Sequence, residues 1–91
     1  MLTDKEKMII EITRKNANLA TAEGKSEIEQ YLAVDEWERA YEILILELIE
    51  MNVKPKDFDK GLWKKVLIDF EIDKVGHDHE IMAKFEKWAD S

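Results

Sequence analysis

Apolar residues recur at three- and four-residue spacing along most of the chain, and no segment alternates long enough to make a convincing strand. Thr3-Asp4-Lys5-Glu6 reads as a capping box, with the Thr3 hydroxyl serving the Glu6 amide and the Glu6 carboxylate reaching back. The helix that follows carries Met8, Ile9, Ile12, Leu19 and Ala20 on one stripe, interrupted by Asn16. Gly24 is then expected to stop the helix in a left-handed conformation. Ser26-Glu27-Ile28-Glu29 reads as a second capping box, opening a helix of about two turns with Ile28, Tyr31 and Leu32 inward.

Asp35 is expected to cap the longest helix, about 36–51. Trp37, Tyr41, Leu44, Leu48 and Met51 form its stripe. Ala40, Ile43, Ile45 and Leu46 extend the apolar surface nearly round it, so it should have neighbours on most sides. Asn52 to Pro55 turns the chain. Asp57 is the expected next cap, before a helix burying Leu62, Trp63, Val66, Leu67 and Phe70. Residues 71–76 read as a loop, and Asp78 as the cap of a last helix with Ile81, Met82, Phe85 and Trp88 on its stripe. The expected fold is all-α: one domain over residues 1–91, a small bundle of about five helices around the 36–51 helix.

Composition adds little to that picture, and charge adds more. With no cysteine among 91 residues there is no disulfide framework and no thiolate metal site. The start of the chain lacks a secretory pattern, and no apolar run approaches the ~20 residues that span a bilayer. A cytoplasmic location and no membrane contact are therefore expected. Net charge is −7. Residues 1–25 and 51–91 are each close to neutral. Residues 26–50 hold Glu27, Glu29, Asp35, Glu36, Glu38, Glu42, Glu47 and Glu50 against Arg39 alone. Such a field repels nucleic acid and anionic lipid and steers basic partners inward, although a solvated face that aids solubility would look the same. Near the start of the long helix, Asp35 and Glu36 also suit the helix dipole, which is a local reason for acids there.

No constellation points to catalysis. There is no phosphate-binding glycine loop, no nucleophile motif and no paired carboxylates in an evident pocket, so the expectation is a protein that is not an enzyme and needs no cofactor. His77-Asp78-His79-Glu80 has metal-ligand residue types, but the histidines are two apart rather than at helical spacing, and a capping, solvent-exposed role is expected. Basic residues do not cluster with aromatics, which argues against direct nucleic-acid binding, and the tryptophans sit at core spacing.

The segment SEIEQYLAVDEWERAYEILILELIE resembles small all-helical immunity proteins of bacterial toxin systems, of the Maf and contact-dependent growth inhibition types. The resemblance covers roughly residues 26–75. It rests on Tyr31-Leu32 before a short break, the acidic-aromatic pair Glu36-Trp37, then Ala40, Glu42, Leu44 and Leu48, and the downstream turn with Pro55. It implies a protein that binds and blocks the cytotoxic C-terminal domain of a cognate toxin, often a nuclease, whose basic substrate channel an acidic helical face would fit. The resemblance assigns no contact residues. The eight acids of residues 26–50 are candidates from charge alone. A helical adaptor or regulatory subunit, or a nucleic-acid mimic acting on another basic protein, would share these features.

Overall fold

The computed structural model describes all 91 residues as an all-helical bundle without strands. Its helices are α1 (Asp4–Asn16), α2 (Ala22–Ala33), α3 (Trp37–Met51), α4 (Lys60–Asp69), α5 (Ile72–Val75) and α6 (Ile81–Ala89), with a 3-10 turn, Ala17–Leu19, after α1. The sixth helix is α5, a single turn within the segment expected to be a loop.

The capping box of α1 is present: the Thr3 amide donates to Glu6 Oε1 at 2.8 Å, and the Glu6 amide to Thr3 Oγ1 at 3.1 Å. The buried stripe is Ile9, Ile12, Thr13 and Asn16 with Ile10 beside it, while Met8 and Leu19 are exposed. Asn16 thus continues the stripe that it was expected to interrupt. Its Nδ2 donates to the Ile12 carbonyl at 2.9 Å and the Thr13 hydroxyl to the Ile9 carbonyl at 2.7 Å, so both polar groups are buried with their bonds made inside their own helix.

The expected stop at Gly24 and start at Ser26 do not occur. α2 begins at Ala22 under a Thr21 cap, and Gly24 is a buried residue of its first turn, with its amide donating to Thr21 Oγ1 at 3.0 Å. Asp35 is not a side-chain cap either. It takes a left-handed conformation, φ 60°, in the turn between α2 and α3, and α3 starts at Trp37 without a capping side chain. Asn52 ends α3 in the left-handed region, φ 54°, with its amide returned to the last carbonyls.

α3 packs against α1, α2 and α6 and buries Ala40, Tyr41, Ile43, Leu44, Ile45 and Leu48. Trp37 is half-buried and Met51 exposed at its two ends. The cap of α4 is Asp59 rather than Asp57, its Oδ1 accepting the Leu62 amide at 3.1 Å. Asp57 instead pairs with Lys15 at 2.8 Å. Trp63, Val66 and Leu67 of α4 are buried, as are Ile81, Phe85 and Trp88 of α6.

Five of the eight aromatic residues, Tyr41, Phe58, Trp63, Phe85 and Trp88, form one cluster at the α4–α6 end. Phe58 lies 5.0 Å from Trp88 and 5.5 Å from Trp63, ring centre to ring centre, and Tyr41 lies 5.7 Å from Trp63. The Trp88 indole donates to the Val53 carbonyl at 3.1 Å, and the Tyr41 hydroxyl to the Trp63 carbonyl at 2.9 Å. Trp63 and Trp88, 3% and 4% exposed, are therefore core packing, not a surface for stacking bases.

Candidate functional site

The acidic segment divides into three groups once folded. Glu42 and Glu47 are used internally, Asp35, Glu36 and Glu38 are exposed around one turn, and Glu27, Glu29 and Glu50 are exposed but dispersed.

By helical spacing Glu42 lies one turn from Glu38, on the same side of α3. The segment between α4 and α6 covers that side, leaving Glu42 only 1% exposed. Its Oε1 accepts Arg39 Nη1 at 2.7 Å, and its Oε2 accepts the Asp78 amide at 3.0 Å. Gly76 lies against the same carboxylate so closely that a Cβ there would sit 2.5 Å from Glu42 Oε2 and 2.5 Å from the Ile72 carbonyl oxygen. A carboxylate so enclosed cannot reach a partner while this segment is in place. Glu47, half-buried, accepts the Thr21 amide at 3.1 Å and the Thr21 hydroxyl at 2.6 Å, which places its charge at the N-terminal end of α2, where the helix dipole favours it.

Arg39, the one base of the segment, is held between helices. Its guanidinium carbon lies 5.8 Å from the centre of the Tyr31 ring on α2, within cation–π range, while Nη1 holds Glu42. Burial opposes its charge, and the hydrogen bond to Glu42 together with the neighbouring Tyr31 outweighs that effect, leaving its pKa above the ordinary arginine value. Its Nε is buried without a partner. The charge count along the sequence identifies Arg39 as unusual but carries no sign that it bridges Tyr31 and Glu42.

The exposed acids are not one continuous face. Glu27 and Glu29, two residues apart on α2, point in different directions. Glu29 lines a groove with Arg14 and Lys25, which dilutes its field. Glu38 and Glu50 are roughly 18 Å apart along the α3 axis. Glu36 and Glu38, by contrast, line one cleft of about 160 Å³ together with Arg39, Ile72, Val75 and His77, with Glu42 and Gly76 at its base. Asp35 adjoins them in the preceding turn, and Val34, 64% exposed, is the apolar residue of that turn.

Ion pairing sharpens the contrast. Lys5 and Lys65 pair with Asp69, Lys60 with Glu86 and Asp90, Lys64 with Glu86, and Lys84 with Asp78. These exposed pairs add little stability each, but they neutralise charge locally. Within residues 26–50 the only pair is Arg39–Glu42. The exposed acids there have no cation of their own.

His77 and His79 are exposed, and no three His, Asp or Glu side chains converge in a way that could hold a metal ion. No helix is long and apolar enough to cross a membrane. Neither a family model, nor a curated protein, nor a solved structure matches the chain.

Proposed function

We propose that this protein is an immunity-type inhibitor. It binds the cytotoxic C-terminal domain of a cognate bacterial toxin, with a basic nuclease as the class of target, and it performs no catalysis itself. The observation that carries this reading is the group Asp35, Glu36 and Glu38, three acids exposed around one turn without ion-pair partners, beside a cleft and an exposed Val34. The resemblance of residues 26–75 to helical immunity proteins supplies the biological class.

The mechanism is steric and electrostatic. A nuclease channel is basic because it binds phosphate, so three exposed carboxylates attract it and speed association. Val34 and Val75, both exposed, then supply apolar contact, which governs dissociation. Glu27, Glu29 and Glu50 contribute to the long-range field rather than to the same contact.

The test is co-expression with the C-terminal domain of an effector, where one is encoded immediately upstream. Rescue of growth and co-purification of the two chains support an immunity role. Growth arrest despite a well-expressed, folded chain overturns it. A gene without such a neighbour favours the adaptor reading.

A further inference from the structure

We propose that residues 71–80, which join α4 to α6, form a strap that opens as a unit while the rest of the bundle stays folded, and that Glu42 is its latch. The strap is weakly attached to α3. Its single helical turn buries only Ile72, 1% exposed, while Glu71, Lys74, Val75, His77, His79 and Glu80 are exposed. Its other bonds are local: the Val75 amide donates to the Glu71 carbonyl at 2.9 Å and the Gly76 amide to the Ile72 carbonyl at 3.0 Å. The Asp78 carboxylate is taken by the Glu80 amide at 2.8 Å and Lys84 at 2.7 Å, which ties it to the start of α6 and not to α3. One apolar side chain and the bond from the Asp78 amide to Glu42 therefore hold the strap down.

Segments with few buried apolar contacts and mostly local bonds open at far lower free energy than the core. Glu42 decides the closed state because the acceptor is a buried carboxylate, where such a bond is strong. On opening, Oε1 stays with Arg39, and Oε2 is released on the side of α3 that carries Glu38. That freed oxygen is the atom a basic partner would take. This last consequence rests on the docking reading, whereas the opening itself does not.

The test is amide hydrogen exchange by NMR on the full chain, compared with E42Q and E42A. The reporters are the Val75 and Gly76 amides, whose bonds to strap carbonyls close a single helical turn that is not stable off the bundle, so that opening breaks them; the reference is the Leu44, Ile45 and Leu48 amides of α3. In the wild type the two reporters should exchange roughly a hundredfold or more faster than the α3 amides. E42A should speed the reporters a further tenfold or so and leave α3 unchanged, and E42Q, a neutral acceptor, should give a smaller change in the same direction. Reporters that exchange at core rates in the wild type, or that speed up only in step with α3, would overturn the proposal, as would reporters unmoved in both variants. Should E42A fail to fold, the wild-type contrast and E42Q decide by the same criteria. None of these readouts involves a partner, so failure here and failure of the immunity reading are separate results.

Discussion

The Glu47 carboxylate on α3 receives both the amide and the hydroxyl of Thr21, the residue that caps α2, at 3.1 and 2.6 Å. The Thr21 hydroxyl in turn accepts the Gly24 amide at 3.0 Å, so the start of one helix is organised by a side chain from another. Thr21→Ala should cost about 1 kcal/mol and Glu47→Ala about 1–2 kcal/mol. In urea titrations the double variant should lose less than the sum, by about 0.5–1 kcal/mol or more, because the two share one interaction.

Gly24 tests the same contact by its sign. Alanine in place of a helical glycine ordinarily gains about 0.5–1 kcal/mol. Here the new Cβ would overlap the Glu47 carboxylate and push it off Thr21. Gly24→Ala should therefore fail to stabilise the wild type, yet stabilise the Glu47→Ala variant by about 0.5–1 kcal/mol. An equal gain in both backgrounds would show that the carboxylate moves away at no cost.

Tyr41 is fully buried, with its hydroxyl on the Trp63 carbonyl. Tyr41→Phe should cost about 1–2 kcal/mol near neutral pH. Burial pushes the phenol far above its usual value, so in strong base the unfolded chain loses this proton and the folded chain keeps it. Stability from Tyr41 is thus complete below about pH 10 and falls above it, by about 1.4 kcal/mol per pH unit. Urea titrations from pH 8 to 11 should show the wild-type advantage over Tyr41→Phe shrinking above pH 10. A constant difference would contradict a buried, neutral phenol.

Glycines 61 and 76 should respond in opposite directions. Gly61 is exposed in the first turn of α4, and a Cβ there meets only Asp59 Oδ1 at 3.5 Å, an ordinary contact. Gly61→Ala should stabilise by about 0.5–1 kcal/mol. At Gly76 the Cβ would press on the Ile72 carbonyl, part of the backbone, as well as on Glu42. Gly76→Ala should destabilise by about 1–3 kcal/mol. Thermal melts of the two variants beside the wild type would separate these outcomes.

The proposed docking face is best tested at Glu36 and Glu38. Both are exposed and without ion-pair partners, so Glu36→Lys with Glu38→Lys should leave the chain folded in urea titrations, at a cost of about 1–2 kcal/mol from reversing two charges at the start of α3. Association with the basic toxin domain should slow about tenfold or more at low salt, with the deficit narrowing as salt rises. Unchanged association at low salt would exclude this face. Glu42→Lys is unsuitable for the purpose. It places a second cation beside Arg39 in a buried site, and about 3–5 kcal/mol of stability would be lost.

Helical periodicity by itself determined that the chain is all-α, that the 36–51 helix is central, and that Ile9, Tyr41, Leu44, Leu48, Trp63, Phe85 and Trp88 are core. These follow from apolar spacing, which the sequence displays directly. Helix starts were less legible. Thr21 caps α2 with help from Glu47, which lies 26 residues away, and a local search for capping boxes finds Ser26 instead. The fates of the acids were not legible at all. Glu38 and Glu42 lie on the same side of α3 by their spacing, yet one is exposed and the other 1% exposed. Only tertiary structure decides that difference, because a strap 30 residues further on, not the helix's own pattern, covers Glu42 and supplies the amide that satisfies it.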